Sequence, residues 1–421
     1  MSSRSPKRPS RKDQPEQLDV QQVVRAAQSL GLPAWVWAVV ALLVALAIAA
    51  FLFASSKQNK PLAGPNTTAT AAQRPTGNDS GPLAGGQITV GFTQPTYPEK
   101  PANHIHTLDT KLTDFINTAQ QSVDIAIYQL DLPDVTQALL DAKGRGCTVR
   151  AVTDIDILND PKENPSFKQL QQVGVKVVGG NPNAIMHDKF VVVDGQAVWT
   201  GSWNFTNNDT FRYNNNGLIL KSPALAANYT VTFEKMWRDN KFGAQRKPGG
   251  TTPQLVIGGV PVASYFAPED NVAEKIVAKL EGAQTSIEFM AFSFTDDNIG
   301  ATLLAKAKAG VAVRGVFETT GSDTRFSEYG KLMKAGLDVR QDGNPYLMHH
   351  KVFIIDGKTA IIGSFNFSEN AEKSNDENLL IIDDPAIAAQ FSNEFGRVYE
   401  QARNRATKGV APTEGSGAEQ P

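Results

Sequence analysis

Two stretches of this chain carry the same polar residues at the same spacing. Residues 186–205 read MHDKFVVVDGQAVWTGSWNF and residues 348–367 read MHHKVFIIDGKTAIIGSFNF, and both fit the template His-x-Lys-x4-Asp-x6-Gly-Ser-x-Asn. The matching positions are His187, Lys189, Asp194, Gly201, Ser202 and Asn204 in the first copy and His349, Lys351, Asp356, Gly363, Ser364 and Asn366 in the second. Strand alternation does not explain six identities repeated at a constant offset of 162 residues in a chain with five histidines.

These residue types suit the chemistry of a phosphodiester. Near neutral pH an imidazole can attack phosphorus or protonate a leaving oxygen, so two histidines can divide these roles across one phosphorus. The lysines would supply positive charge to the non-bridging oxygens, and the serines and asparagines would donate hydrogen bonds to those oxygens or to neighbouring site groups. We count the His, Lys and Asp residues of both motifs as the candidate catalytic set, although Asp194 and Asp356 are expected to hold a cationic or backbone donor. The scheme requires no metal ion and no other cofactor.

The doubled motif, with Gly-Ser-x-Asn after it, resembles the signature of the phospholipase D superfamily over residues 87–405. The resemblance implies a two-lobed α/β sandwich with one active site between the lobes, which cleaves phosphodiesters through a phosphohistidine. It also implies that His187 attacks phosphorus and that His349 does the acid and base work. We therefore expect a phosphoric diester hydrolase, and a monomeric one because a single chain holds both half-sites.

The two copies differ at one position that bears on this assignment. The superfamily usually carries an acidic residue after each motif, where it supports a catalytic imidazole, and the second copy has it as Glu377. The first copy has Asn215 there, which can accept a hydrogen bond but supplies no charge. If Glu377 serves His349, that histidine keeps its proton and suits the acid role, while His187 is neutral and able to attack. The sequence leaves open whether the pairing runs within a lobe or across the interface.

The same order of predicted elements precedes each motif. A strand, a helix and a second strand are predicted at residues 122–130, 133–143 and 147–154, and again at 286–294, 297–309 and 311–318. This order indicates a right-handed crossover in a parallel or mixed sheet. The sequence thus predicts an α/β protein of two duplicated lobes with mixed sheets, ending in a helix at residues 385–402. The predicted lobes are residues 87–243 and 263–405, with a Pro- and Gly-containing linker at 244–262.

An apolar run precedes the lobes. Residues 34–54 contain no charged side chain and are long enough to span a bilayer, which takes about 20 residues. A cleaved signal peptide is the alternative, but its apolar region is usually only about 7–15 residues long. Because the preceding residues 1–33 are basic, we expect a disordered cytoplasmic tail and a single-pass anchor in the cell membrane, with the catalytic part outside the cytoplasm. Residues 55–86 read as a flexible stalk and residues 406–421 as a disordered tail.

The substrate is less clearly marked. With 41 basic and 43 acidic residues the chain has a formal net charge of −2, so no basic excess indicates a nucleic-acid partner. The membrane anchor favours a phospholipid. The Asn-Phe-Thr and Asn-Phe-Ser runs that follow the motif serines instead resemble the nuclease branch of the superfamily. We expect phospholipid hydrolysis, with a nuclease as the alternative and a phosphatidyl transferase or an inactive scaffold as further alternatives.

Other candidate residues have an ordinary explanation. Four aromatic residues near the motifs could stack bases or line an entrance, but aromatic residues beside strands are more often core: Trp199, Trp203, Tyr346 and Phe365. Cys147 is the only cysteine, so neither an intrachain disulfide nor a cysteine-based metal site is expected. His104 and His106 form a His-x-His in a Pro-rich stretch, where loop histidines are the more common case than a metal pair.

Overall fold

The computed structural model describes residues 83–404 of the chain. The predicted basic tail, the predicted membrane anchor at residues 34–54 and almost all of the predicted stalk lie outside these residues, as does the carboxyl-terminal tail. None of the helices between residues 83 and 404 is both long and apolar enough to cross a membrane. All described residues belong to one compact unit.

The first lobe is built on a seven-stranded sheet. Its strands are β1 (Ile88–Phe92), β2 (Ser122–Ile127), β3 (Thr148–Asp154), β4 (Val177–Gly180), β5 (Lys189–Val193), β6 (Ala197–Gly201) and β7 (Asn216–Lys221). Their order in the sheet is β1-β7-β6-β5-β2-β3-β4, with β2, β3 and β4 parallel and all other neighbours antiparallel. Its helices are α1 (Leu108–Asn117), α2 (Pro133–Gly144), α3 (Ile155–Asn159), α4 (Pro165–Gln172), α5 (Asn207–Phe211) and α6 (Pro223–Trp237).

The second lobe repeats this plan with one additional strand. Its strands are β8 (Gln254–Ile257), β9 (Val260–Ala267), β10 (Ser286–Ala291), β11 (Ala312–Phe317), β12 (Asp338–Gln341), β13 (Lys351–Ile355), β14 (Thr359–Gly363) and β15 (Glu377–Asp383). The order is β12-β11-β10-β13-β14-β15-β9-β8, with β10, β11 and β12 parallel. Its helices are α7 (Val272–Glu281), α8 (Asp297–Lys308), α9 (Thr319–Ser322), α10 (Tyr329–Lys334), α11 (Glu369–Lys373) and α12 (Pro385–Arg403). The prediction of two duplicated α/β lobes with mixed sheets is confirmed.

The first strand before each motif is shorter than the sequence predicts. The apolar run 122–130 remains in the sheet only as far as Ile127, and the run 286–294 only as far as Ala291. Beyond these points the chain turns away from the sheet, and Leu130 and Phe294 pair with Phe205 and Phe367 through isolated bridges. The last residues of each apolar run therefore cover the turn that follows the motif of the same lobe.

One apolar core joins the two lobes. The inner faces of both sheets and the long helices α6 and α12 contribute to it, and each helix presents a fully buried apolar stripe. On α6 the stripe contains Leu225, Tyr229 and Phe233, which recur at helical spacing. Burying one such side chain contributes about 1.5–3 kcal/mol, so this core holds the two halves of the site in fixed relation. Two further cores lie on the outer faces of the sheets, beneath the remaining helices.

The second sheet begins inside the segment that the sequence assigned to the linker. Strands β8 and β9 form a hairpin across Gly258 and Gly259, which have φ angles of 56° and 86°. Such positive φ angles suit a tight hairpin turn and favour glycine. These glycines therefore mark a turn within the second lobe, and the connection between the sheets ends at Gln254.

Candidate active site

Both motif histidines stand just before a central strand of their own lobe and reach the other lobe through the backbone. His187 precedes β5 and donates its backbone N–H to the carbonyl oxygen of Asp376 at 3.0 Å. His349 precedes β13 and donates to the carbonyl oxygen of Asn214 at 2.9 Å. The two motifs therefore meet at one junction between the lobes, where each lobe anchors the histidine of the other.

A buried carboxylate fixes the residue before each histidine. Asp154, at the end of β3, accepts the backbone N–H of Met186 at 2.8 Å, and Glu318, just after β11, accepts that of Met348 at 2.8 Å. Burial raises the pKa of both carboxyl groups. The sequence interpretation missed this pair, although the matching segments CTVRAVTD and VAVRGVFE both end in an acid.

The side-chain partner of each imidazole also comes from the opposite lobe. His187 Nδ1 lies 2.8 Å from both carboxylate oxygens of Glu377, and both side chains are fully buried. His349 Nδ1 lies 2.9 Å from Oδ1 of Asn215. Asp209, which the sequence interpretation overlooked, brings a carboxylate oxygen to 3.4 Å from the same Nδ1. Glu377 therefore serves His187 across the interface, and the premise that it serves His349 is wrong.

Each motif lysine folds back onto its own histidine. Lys189 Nζ donates to the carbonyl oxygen of His187 at 2.9 Å, and Lys351 Nζ donates to that of His349 at 3.1 Å. Both lysines are fully buried. A buried cation attracts an anion more strongly than an exposed one, because less water screens the interaction. The pair thus places two ammonium groups at the backbone carbonyl oxygens of the two histidines.

An aromatic residue of the same lobe packs edge-on against each histidine. The ring of Tyr128 contacts the His187 ring edge-on with centroids 5.7 Å apart, and Phe292 contacts His349 in the same way at 4.8 Å. Both aromatic residues are the first residue after matching strands, β2 and β10. The sequence interpretation did not single them out, but this matching position is a signal that would have found them.

Each motif serine donates a hydrogen bond to the side chain that contacts the histidine of the other motif. Ser202 Oγ donates to Asn215 Oδ1 at 2.8 Å, and Ser364 Oγ donates to Glu377 Oε2 at 2.6 Å. All four side chains are fully buried. Of the two contacts expected for the serines, substrate oxygens or neighbouring site groups, the structure shows the second.

The motif asparagines lie in the turns that follow the serines. Asn204 is 2% exposed and donates its backbone N–H to Asp209 Oδ1 at 3.3 Å. Asn366 is 6% exposed, and its Oδ1 has no hydrogen-bond partner within residues 83–404. Asn204 is thus tied to Asp209, and Asn366 is buried in the matching turn.

The motif aspartates lie apart from the histidines. Each follows the strand that begins with the motif lysine, and five residues of strand span about 16 Å. Asp194 accepts three backbone N–H groups where β2 begins at 2.7–2.9 Å, and Asp356 accepts the matching three where β10 begins at 2.7–3.1 Å. Burial acts to raise the pKa of both carboxyl groups, but the backbone hydrogen bonds outweigh it, lowering the pKa of Asp356 to about 2 and also that of Asp194. The aspartates thus hold backbone donors, as expected of them, and lie apart from the histidines with which the candidate catalytic set grouped them.

A family model described as the cardiolipin synthase, PLD-like domain matches residues 112–237 and 276–399. These two matches cover more than half of the chain. The chain belongs to the phospholipase D superfamily. Each match falls within one of the two lobes and includes one His-x-Lys motif.

Individual relatives align with smaller parts of the chain. The mitochondrial cardiolipin hydrolase of Xenopus laevis is 34% identical over 132 residues, which is 31% of this chain and 63% of that protein. The phospholipase D of Rickettsia prowazekii (strain Madrid E) is 36% identical over 137 residues, which is 32% of this chain and 67% of that protein. The chain thus spans about two thirds of the length of these relatives. The crystal structure of the phosphatidylserine synthase of Haemophilus influenzae Rd KW20 superposes with a TM-score of 0.55 at 12% identity, covering 75% of this chain and 88% of that one. This last likeness shows the fold alone.

The residue between His and Lys in each phospholipase D motif also faces the other lobe. Asn378 Nδ2 donates to Asp188 Oδ1 at 3.0 Å, and Asn216 Nδ2 lies 2.9 Å from His350 Nδ1. All four side chains are fully buried. The template treats these positions as variable, so the sequence interpretation missed that they bind the phospholipase D lobes together.

Arg246 lies beneath this contact and is fully buried among carboxylates from both lobes. Its Nη1 lies 3.7 Å from Asp188 Oδ2, and its Nε lies 3.0 Å from Glu269 Oε2 and 3.1 Å from Asp376 Oδ1. Burial raises the pKa of Asp188 to about 6 and that of Asp376 to about 7, against the lowering effect of Arg246. Asp188 and Asp376 therefore retain a proton more readily near neutral pH than ordinary carboxyl groups do.

The remaining candidates from the sequence lie in the core or the loops. Trp199, Trp203 and Phe365 are at most 1% exposed and pack within the lobe cores. Cys147 is also buried. His104 contacts Glu99 at 2.5 Å, and His106 contacts Asp109 at 2.5 Å, so that each of the two histidines has a carboxylate partner of its own. Tyr346 is half-buried, and the Arg212 guanidinium lies 5.1 Å from its ring centroid.

Proposed function

We propose that the chain is a phosphoric diester hydrolase of the phospholipase D type that cleaves phospholipids through a phosphohistidine. In the first step Nε2 of His187 attacks phosphorus, the bond from phosphorus to the leaving oxygen breaks, and His349 gives that oxygen its proton. In the second step His349 takes a proton from water, the water oxygen attacks phosphorus, and the bond to His187 breaks. The products are an alcohol and a phosphomonoester.

This proposal rests on one observation: each motif histidine is held by a side chain of the opposite lobe. Each imidazole is held through Nδ1 by the opposite lobe, His187 by Glu377 and His349 by Asn215. Because Nδ1 of each ring is engaged in this way, Nε2 is the nitrogen that acts on the substrate. Two rings held at one junction match a reaction that needs an attacking group and a proton donor on opposite sides of one phosphorus.

The two partners support His187 as the nucleophile. Glu377 fixes the proton of His187 on Nδ1, which leaves the lone pair on Nε2, and its charge stabilises the cationic imidazole that forms when nitrogen bonds to phosphorus. From the sequence, the histidine held by a carboxylate is expected to be the acid. Since Glu377 holds His187, its charge alone would make His187 the acid and His349 the nucleophile. The tautomer that Glu377 fixes has the opposite effect, because it leaves the Nε2 lone pair of His187 able to attack.

The two lysines stabilise the transferred phosphoryl group in this scheme. Both are buried beside the histidines, where their positive charges attract the non-bridging oxygens. Phosphoryl transfer depends mainly on positioning and on such electrostatic stabilisation. The serines contribute indirectly, by orienting the acceptors of the histidines.

Phospholipid is the favoured substrate for two reasons. Relatives at 34% and 36% identity are a cardiolipin hydrolase and a phospholipase D. The apolar run at residues 34–54, which lies outside the described residues, would also hold the site close to a lipid surface. Since both half-sites lie in one chain, the enzyme is expected to act as a monomer.

The deciding experiment compares substrates under one set of conditions. Full-length protein is offered mixed micelles of cardiolipin or phosphatidylcholine and, separately, single-stranded DNA, all with EDTA present. Lipid hydrolysis that is lost in the His187→Ala and His349→Ala variants is expected. Cleavage of DNA without lipid turnover would make the protein a nuclease, and a loss of all activity in EDTA that a divalent ion restores would overturn the metal-free scheme.

The membrane anchor is tested by fractionation. Full-length protein should sediment with membranes and resist extraction by salt and carbonate, and externally added protease should reach the catalytic part from the non-cytoplasmic side. Recovery of a mature form that begins near Ser55 would support the signal-peptide alternative instead.

A further inference from the structure

The two copies each carry one carboxylate near their imidazole contact, but at different positions. Glu377 in the second copy corresponds to Asn215 in the first, whereas Asp209 in the first copy corresponds to Ala371 in the second. Asp209 lies on α5, and Ala371 lies at the matching position of α11. The copies have therefore exchanged which of these two positions is acidic.

The structure brings Asp209 to His349 through Asn215. Asn215 Oδ1 lies 2.9 Å from His349 Nδ1, while Asn215 Nδ2 donates to Asp209 Oδ1 at 3.1 Å. The same Asp209 oxygen lies 3.4 Å from His349 Nδ1, and Asp209 is only 3% exposed. A buried negative charge at this distance favours the protonated imidazole.

We propose that Asp209 is the positioning residue of His349 and supplies the negative charge that Glu377 supplies to His187. This inference rests on the proposed function, in which His349 must hold a proton before the first step. Asn215 aligns the ring through its amide, and Asp209 adds the charge that an amide lacks. Two further ionisable groups of the described residues lie against His349: Lys351 Nζ at the carbonyl oxygen of His349, and Tyr213, with its ring centroid 6.5 Å from the imidazole.

Helix capping alone does not account for Asp209. Its Oδ2 accepts the hydroxyl of Thr206, the N-cap of α5, at 2.8 Å. The matching helix α11 has Ser368 as its N-cap and forms with Ala371 at the same position. The helix therefore forms without an acid at this position. Capping does not explain why the Asp209 carboxylate lies next to His349.

The direct test measures the protonation of His349 by NMR in full-length protein labelled with ¹⁵N-histidine, of which the chain has five. Asp209→Asn should lower the pKa of His349 by about one unit or more, because a stabilising negative charge is lost. The basic limb of the kcat profile should move to lower pH by a similar amount, since the acid loses its proton sooner. A purely structural role would lower the melting temperature without moving either value.

Two further variants complete the test. Asp209→Ala combined with Asn215→Glu reproduces the arrangement of the second copy and should restore the pKa of His349. The matched control is Asp131→Asn, because Asp131 accepts the backbone N–H of Asn207 on the same helix at 2.7 Å but is not a partner of His349. The control should leave the pKa of His349 unchanged.

The outcomes separate this inference from the proposed function. An unchanged His349 pKa in Asp209→Asn, or an equal shift in Asp131→Asn, would overturn the role of Asp209 whatever the activity. A shift in a protein that hydrolyses no phosphodiester would support the electrostatic pairing and reject the proposed function. If the Asp209 variants do not fold, the reciprocal test is made at His187. Glu377→Asn alone should lower the pKa of His187, and adding Ala371→Asp to that variant must restore it.

Discussion

The two copies of the motif share a backbone and differ in the side chain that contacts the imidazole. Both histidines precede the central strand of their lobe and donate their backbone N–H across the interface at 2.9–3.0 Å. Yet His187 meets the carboxylate of Glu377 directly, while His349 meets the amide of Asn215. Duplication of the fold therefore places two equivalent imidazoles, and the side chains around them make the imidazoles unequal. A reaction that needs one attacking and one proton-donating histidine benefits from such inequality.

The largest effect should come from removing either histidine. His187→Ala and His349→Ala should each lower kcat by about 1,000-fold or more, because each removes a chemical role that the other copy does not supply. The measurement is turnover of a soluble phosphodiester by purified protein. A rate above about one tenth of wild type in either variant would contradict a shared site.

The next largest effect should distinguish the two partners. Glu377→Gln should lower kcat by about 100-fold, and Asn215→Ala by about tenfold, because only the first removes a charge held directly on an imidazole. The matched control is Glu372→Gln, which removes a carboxylate of the same segment that accepts the backbone N–H of Ala273 at 2.9 Å. Equal losses for Glu377→Gln and Asn215→Ala would show that direct contact between a carboxylate and the imidazole gives no catalytic advantage over contact with an amide.

A smaller difference is expected between the serines. Ser364→Ala should lower kcat by about tenfold, because its hydrogen bond is to a carboxylate, whereas Ser202→Ala breaks a bond to an amide and should cost roughly threefold. Steady-state kinetics with the same substrate measures both, and KM should change little. A rise in KM without a change in kcat would instead indicate that the serines bind the substrate directly.

The smallest effect concerns stability and not catalysis. Asp356→Asn should destabilise the protein by about 1 kcal/mol at pH 7, given the partial exposure of the carboxylate, and should leave kcat unchanged. The pKa of Asp356 is lowered to about 2 in the folded state, so its stabilisation is present above the unfolded pKa near 3.9 and is lost as pH falls through about 2. Urea unfolding at pH 7 and pH 2.5 should therefore show the variant approaching wild type in acid. A constant difference at both pH values would contradict this account.

The sequence could predict what depends on order along the chain. The repeated template identifies both histidines and lysines, and the apolar runs before them identify the duplicated lobes, because strands and helices leave local periodic patterns. The partners across the interface leave no such pattern. Glu377 stands 14 residues after Gly363 of its own motif but bonds to His187, and only the packing of the two sheets decides this.

Two other features were missed for related reasons. Asp188 and His350 fall at the variable position of the template. The motif therefore does not predict that their side chains join the two lobes. Asp209 lies outside the motif, and its importance emerges only when its distance to His349 is known. A residue-by-residue comparison of the two copies would have shown that Asp209 aligns with Ala371. It would not have shown that the Asp209 side chain lies next to His349.

The most direct test of the account is to trap the covalent intermediate. Each single-histidine variant, His349→Ala and His187→Ala, is quenched during turnover of a phosphodiester with a good leaving group, which needs little help from an acid, and the labelled phosphohistidine is located by peptide mapping. The account predicts phosphate on His187 in the His349→Ala variant and none on His349 in the His187→Ala variant. Phosphate on His349 in the His187→Ala variant, with none on His187 in the other, would reverse the roles and contradict the account.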